Sequence, residues 1–332
     1  MRLLIIGPVR NFGNQTGGAT VLFEDFVIYL DRKRIPYNLV VLNKFESKAK
    51  NLFYILKETY YYIGKVDKVF IHVSWGGVKY LSPLVFLLCK LYKKKYYIRV
   101  FGGNTATCLS TSSVIIKYLF KKTTQKADKL FFETINLVSK FSSSNIALLP
   151  NSRLFLGDFQ TSNHYNKKYV YLGQIKKEKG VVEAKLAFDK LGKDYYIEFY
   201  GPIHDEELVS FLGVNYKGLL DPKDVRKSLA NYNFLCLPTY WEGEGYPGVI
   251  IEAFSVGLPV VVTDWKQISE IVDNGVNGFL IEPKSVDSIV KVVKEIDQNV
   301  YSDCKAKAFS SSKLYDSNII YKNLLKEIGI EV

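Results

Sequence analysis

Short apolar runs rich in β-branched residues recur along this chain, each followed by a longer stretch whose apolar residues return with helical spacing. In the first half the runs are LLIIG (3–7), YNLVVL (37–42), KVFIHV (68–73), YYIRVF (96–101), KLFF (129–132) and IALL (146–149). The helical spacing between them is clearest in ATVLFEDFVIYLDRKR (19–34) and LFYILKETYYYI (52–63). The pattern pauses over 150–168, a polar, Ser/Asn-rich stretch, and resumes with YVYLG (169–173), YYIEFYG (195–201), NFLCLP (233–238), PVVVTD (259–264) and GFLIEP (278–283). Repetition of a buried strand and an amphipathic helix builds βαβ units around a parallel sheet. A chain of 332 residues exceeds what a single core usually fills. The pattern therefore predicts two doubly wound, Rossmann-like α/β domains in tandem, facing a central cleft at the carboxyl ends of their strands, where such sheets bind ligands. The pause marks the linker.

Composition narrows the class. Cys89, Cys108, Cys236 and Cys304 include no C-x-x-C pair, which argues against a disulfide framework or a thiolate zinc site and for a reduced, cytoplasmic protein. MRLLIIGPV reads as a first buried strand rather than a signal sequence, because its apolar run is short and ends at Gly-Pro. LSPLVFLLCKLY, from Leu81, contains a proline and a lysine and falls short of the roughly 20 residues that span a bilayer.

Charge is divided unevenly. Residues 1–153 hold 24 Lys and Arg against eight Asp and Glu, a net +16, whereas the remainder holds 21 against 25, a net −4. The cations of the first half stand beside aromatics, as in CKLYKKKYYIRV (89–100) and IIKYLFKKTTQKADKLFF (115–132). Two readings are open: peripheral contact with an anionic membrane, or a solvated lysine face over ordinary core aromatics. No nucleic-acid module accompanies the charge, so nucleic acid is not expected as a partner.

Three segments carry candidate chemistry. NFGNQTGGAT (11–20), with Gly17 and Gly18, follows the first strand and opens a helix, a place where backbone N–H groups suit a phosphate or sugar, or simply a turn. Its spacing is neither a dinucleotide fingerprint nor a P-loop. YLGQIKKEKGVVEAKLAF (171–188) places Lys176, Lys177 and Lys179 just before a helix begins, where cations oppose the helix dipole unless an anion neutralises them. WEGEGYPGVIIEAFSVGLPVVVTD (241–264) sets Glu244 on a Gly-rich turn and Glu252 about one turn inside a helix starting near Gly248. Glu252 is placed to accept two hydroxyl hydrogen bonds, as a ribose diol offers, or is a satisfied buried carboxylate. Glu244 is free to meet a reacting group; Glu242 and Glu244 are otherwise a cap or solvent-facing acids.

The spacing of Glu244 and Glu252, continued by AFSVGLPVVVTD and SEIVDNGVNGFLIEP (269–283), resembles the donor-site signature of family 4 retaining glycosyltransferases with the GT-B fold. LGQIKKEKG resembles that family's G-R-L-x-x-x-K-G segment, and Gly17-Gly18 its glycine loop. The resemblance implies GT-B domains over 1–160 (acceptor) and 161–305 (nucleotide-sugar donor), with 306–332 as a helix returning to the first. It implies retaining, metal-independent hexosyl transfer from a nucleotide sugar to a lipid-linked or polysaccharide acceptor, with no cofactor, at the inner membrane face. Glu252 would hold the nucleotide ribose and Glu244 the donor sugar. Lys179 and the amides of Gly245, Tyr246, Pro247, Gly248 and Val249 would line the leaving diphosphate, Pro247 as a member of the turn without an N–H of its own. Two positions depart from the pattern. Gln174 stands where the family has arginine, with Lys176 or Lys177 as possible substitutes. Phe101, in the loop with Gly102, Gly103 and Asn104, stands where it has histidine, which motivates a donor altered at C6; Asn104 or His72 is the alternative polar contact. The departures also keep open a non-catalytic, nucleotide-sugar-binding partner of another transferase.

Overall fold

The computed structural model describes residues 2–10, 18–141, 143–155 and 157–331. The chain forms two compact units, Met1–Leu154 with Ser317–Val332, and Phe155–Asp316. Every predicted strand is present, with ends within two residues of those read from the pattern.

The first unit is a six-stranded sheet of β1 (Leu3–Gly7), β2 (Tyr37–Val41), β3 (Lys68–Val73), β4 (Lys95–Val100), β5 (Lys129–Phe132) and β6 (Ile146–Leu148), in the order β2-β1-β3-β4-β5-β6. All its pairings are parallel. Strand side chains alternate between two cores, as a period of two requires. Leu4, Ile6, Val69, Ile71, Ile98 and Leu130 meet the helices Lys48–Ile63, Trp75–Leu91 and Val114–Lys122. Leu3, Ile5, Phe70, Tyr97 and Phe131 meet the helices Gly18–Arg32 and Ser317–Glu327. Tyr321, fully buried, is centred 5.1 Å from the Phe26 ring and 5.6 Å from the Tyr29 ring, and its hydroxyl donates to the Leu22 carbonyl at 2.9 Å. The Lys68 ammonium donates to the carbonyls of Ile328 and Gly329. Burying a side chain of this size stabilises by about 1.5–3 kcal/mol, so this late segment is part of the first unit's core.

The second unit is a parallel five-stranded sheet of β7 (Lys168–Leu172), β8 (Tyr196–Tyr200), β9 (Phe234–Leu237), β10 (Val260–Thr263) and β11 (Gly278–Ile281), in the order β11-β10-β9-β7-β8. The domain limits differ from those read at 160 and 305. Phe155, Phe159 and Tyr165 pack against this core, and Thr161 donates from N–H to the Val256 carbonyl at 2.9 Å and from Oγ1 to that of Gly257 at 3.0 Å. The helix Gln298–Ser312 also belongs here through buried Tyr301, Cys304 and Ala308. The supposed linker is polar by count, but its few aromatics decide where it packs.

One buried polar group in the first unit is unusual. His72 is fully enclosed by Phe23, Phe26, Phe70 and Phe101, with ring centroids 4.2–6.1 Å away. Neither ring nitrogen has a hydrogen-bond partner among the described residues. Burial, reinforced by Arg99, pulls its pKa well below the usual histidine value. The folded state therefore holds His72 neutral, and its contribution is present above about pH 6.5, the unfolded value, and lost as pH falls below it. That loss amounts to about 1.4 kcal/mol per pH unit. Denaturant titrations of wild type and His72→Phe between about pH 7.5 and 5.5 test this: the wild type loses stability more steeply on acidification, and parallel curves would remove the assignment.

Candidate functional site

The site is built from loops at the carboxyl edge of the second sheet. After β7 the chain runs through Gly173 and Gln174 into a 3-10 turn, Lys177–Lys179, and then the helix Val181–Leu191. After β9 it runs through Thr239 and the turn around Glu244 into the helix Gly248–Phe254. One backbone bond ties these loops together: the Tyr240 N–H donates to the Glu178 carbonyl at 2.9 Å, with the Thr239 hydroxyl oxygen 3.5 Å from the same carbonyl. The Trp265 indole, from the loop after β10, donates to the Trp241 carbonyl at 2.9 Å.

The two loops meet in an ion pair. Lys179 Nζ stands 2.7 Å from Glu244 Oε2, with the side chains only 13% and 8% exposed. The Thr239 hydroxyl donates to the same oxygen at 2.7 Å, and the ammonium lies 4.4 Å from the centre of the Trp241 ring. Tyr171 lies behind the pair, its hydroxyl donating to the Gln174 carbonyl at 2.7 Å. Burial, and then the Glu244 charge, drive that phenol well above its usual pKa, so it stays protonated. A charge pair this withdrawn from water carries a substantial desolvation cost, offset here by the hydroxyl and the aromatic face.

Glu252 is half-buried on the helix Gly248–Phe254, between buried Ile251 and Ala253. Its electrostatic neighbour is Arg226, which donates from Nε to Ser255 Oγ at 2.8 Å and from Nη1 to the Gly157 carbonyl at 3.1 Å, over the rings of Phe155 and Phe159. Burial pulls the guanidinium down, against the charges of Asp158 and Glu252. Ser255 in turn donates to the Glu252 carbonyl at 2.7 Å. Pro247 is the N-cap of this helix and forms no side-chain cap bond. Its first N–H groups have no intrahelical acceptor by geometry. Tyr246 is buried and its hydroxyl bonds the Glu270 carboxylate.

Several sequence expectations change. The anions beside the three lysines belong to the protein itself: Lys176 meets Glu178 at 3.4 Å, Lys177 meets Glu207 at 2.5 Å, and Lys179 meets Glu244. The Lys177 N–H also donates to Asp205 at 2.8 Å. The pairs of Lys176 and Lys177 lie at the surface, and Gln174 is half-buried. Glu242 is exposed and pairs with Lys266 at 2.6 Å.

In the first unit Phe101 turns its ring into the core, 6% exposed, against His72 and 5.2 Å from the Arg99 guanidinium. It is therefore not placed to line a sugar pocket, and enclosed His72 does not take its place. Gly103 and Asn104 are half-buried, with Asn104 at the N-cap position of the helix Thr105–Ser110 but making no side-chain cap bond, and the Gly102 N–H donates to Glu133 at 2.8 Å. Burial raises the Glu133 pKa, opposed by Arg99, this amide and Arg153. Gly18 begins the helix Gly18–Arg32; Gly17 lies outside the described residues. Thr239, Trp241, Arg226 and Glu133 carried no spacing signal. Among the described residues no group of three or more His, Cys, Asp or Glu is gathered as a metal site.

Residues 158–309, within the second unit, match the family model for glycosyl transferases group 1. A protein of Klebsiella pneumoniae described as an uncharacterized 41.2 kDa protein in the cps region is 22% identical over 308 residues, covering 82% of each chain. An Escherichia coli UDP-Gal:alpha-D-GlcNAc-diphosphoundecaprenol alpha-1,3-galactosyltransferase is 26% identical over 141 residues, 39% of this chain and 36% of that one. Among solved structures, sucrose-phosphate synthase from Thermosynechococcus elongatus superposes with a TM-score of 0.78 at 14% identity, over 99% of both chains. Anabaena HepE in complex with UDP and glucose gives 0.73 at 13% identity, over 98% of both. The fold is that of the GT-B glycosyltransferases, two Rossmann-like α/β domains with parallel sheets.

Proposed function

We propose that this chain is a retaining, metal-independent glycosyltransferase that moves a hexosyl group from a nucleotide sugar to a lipid-linked or glycan acceptor in surface polysaccharide synthesis, on the cytoplasmic side. The observation that carries the reading is the withdrawn Lys179, Glu244 and Thr239 cluster, one loop from Glu252, inside the segment that matches group 1 glycosyltransferases. In the ligand-free protein Lys179 and Glu244 neutralise one another. An incoming diphosphate competes for the ammonium, and Glu244 is then released to accept a hydrogen bond from the donor sugar. Lys179 and the amides from Gly245 to Val249, Pro247 excepted, meet the charge that develops on the leaving diphosphate, where preorganised donors contribute most. Glu252, steadied through Ser255 and Arg226, accepts the ribose hydroxyls.

A panel of nucleotide sugars in a thermal-shift assay tests donor binding, since ligand at a hundredfold its Kd stabilises by about 2.7 kcal/mol. Glu252→Ala is expected to raise the donor KM by about 10–100-fold, the equivalent of losing a charged hydrogen bond, with kcat little changed. A panel in which no nucleotide sugar shifts the melting temperature counts against the proposal. Gln174, which lacks the arginine fork, supports a second reading, donor binding without turnover. Release of free sugar or transfer by wild type, absent in Glu244→Ala, decides against that reading.

A further inference from the structure

We infer that the outer face of the helices Lys48–Ile63, Trp75–Leu91 and Val114–Lys122 is a docking surface for an anionic lipid bilayer. The three helices cover the same side of the first sheet, and their inward faces are fully accounted for by its core. Their outward faces are apolar as well. On Trp75–Leu91 the exposed residues Tyr80, Leu84, Leu87 and Leu91 follow one another at intervals of four, three and four, a continuous stripe opposite buried Val78, Leu81, Val85 and Cys89. Leu87 is 58% and Leu91 74% exposed; Val114, at 81%, Ile115 and Tyr118 extend the surface on one neighbouring helix, and Phe53, at 73%, and Tyr60 on the other.

The charge around the stripe selects the occupant. Between Asp67 and Asp128 the chain carries eleven Lys and Arg and not one Asp or Glu, and Glu58 is the one acid in the three helices. Among the described residues Lys79, Lys90, Lys117, Lys121 and Lys122 meet no carboxylate. Some lie over aromatic rings instead, Lys79 at 5.1 Å from Tyr80 and Lys122 at 5.7 Å from Tyr118. A second copy of the chain docked here would oppose cation to cation, and nucleic acid would leave the leucine stripe without an apolar partner. A bilayer with anionic headgroups satisfies both, taking the leucines and aromatics into the acyl boundary and the lysines among the phosphates. No helix among the described residues is long and apolar enough to cross a membrane, so the contact is with the surface.

Co-sedimentation of the full chain with phosphatidylcholine vesicles, with and without phosphatidylglycerol, tests the assignment independently of any transferase assay. Partitioning is expected to be at least about tenfold stronger on the anionic vesicles and to fall with added salt, each lysine near the surface contributing about fivefold. Leu84→Glu with Leu87→Glu, and separately Lys117→Glu with Lys121→Glu, should each lower partitioning about tenfold or more, with circular dichroism unchanged because all four positions are exposed. Equal sedimentation of wild type and both variants overturns the inference. So does a concentration-dependent dimer abolished by the leucine variant without vesicle binding, which assigns the face to a second copy. A wild type that transfers sugar to a soluble acceptor yet ignores anionic vesicles overturns it while leaving the proposed activity intact.

Discussion

On the proposed role of Glu244, replacing it with glutamine is expected to lower glycosyl transfer by about 10²–10³-fold, the range seen when one preorganised electrostatic contact to a transition state is removed. The amide keeps the shape of the carboxylate and a hydrogen bond from Thr239, but it no longer balances Lys179. Lys179→Met has a similar kinetic effect with a different stability signature. It leaves the Glu244 carboxylate 8% exposed with no cation, and breaking a buried pair from one side costs about 3–5 kcal/mol. The double variant, which removes both charges, is expected to recover part of that stability and none of the activity. Steady-state kinetics and denaturant titration of the three variants separate the effects, and a Glu244→Gln protein turning over at the wild-type rate would end the assignment.

Gly180→Ala is the second large effect, and it acts through the backbone. Gly180 has φ +74° and joins the 3-10 turn carrying Lys179 to the helix Val181–Leu191. A Cβ there would stand 2.0 Å from the Pro238 carbonyl oxygen, an atom of the loop that leads to Thr239 and Glu244. The left-handed conformation alone costs an alanine about 1–2 kcal/mol, and relieving the collision forces the two loops apart. Together they predict a loss of about 3–5 kcal/mol and a Lys179–Glu244 pair too far separated to work. Denaturant titration with a donor-binding assay checks both; a variant within about 1 kcal/mol of wild type would show that the loops are not held at this distance.

How far the sequence discloses this site depends on the range of the forces that build it. The strands were legible as short apolar runs, most plainly where β1, β9 and β10 are buried along their whole length. The placement of Glu244 on a turn and of Glu252 inside the helix Gly248–Phe254 was legible because seven residues and a glycine-rich turn fix their relation locally. Lys177 was misread because its partner, Glu207, lies beyond an intervening helix and strand, and no local spacing reports such a pair. Thr239 reads as an ordinary residue after a strand; its hydroxyl gains a role only because the turn brings the Glu244 carboxylate, five residues on, back to it. Phe101 was assigned by position in a motif, whereas the side chain goes where burial is most favourable, into the aromatic cluster around His72. The 150–168 stretch was judged on average polarity, yet three aromatics anchor it to the second core.

The segment Ser317–Glu327, packed against Gly18–Arg32, gives the first unit a core drawn from two distant parts of the chain. During synthesis on a ribosome everything the second unit needs has emerged by Asp316, while Phe26 and Tyr29 still await Tyr321. The order of completion is therefore the reverse of the order of translation, and the basic, apolar-faced first unit is the part of the nascent protein that stays longest in need of a chaperone.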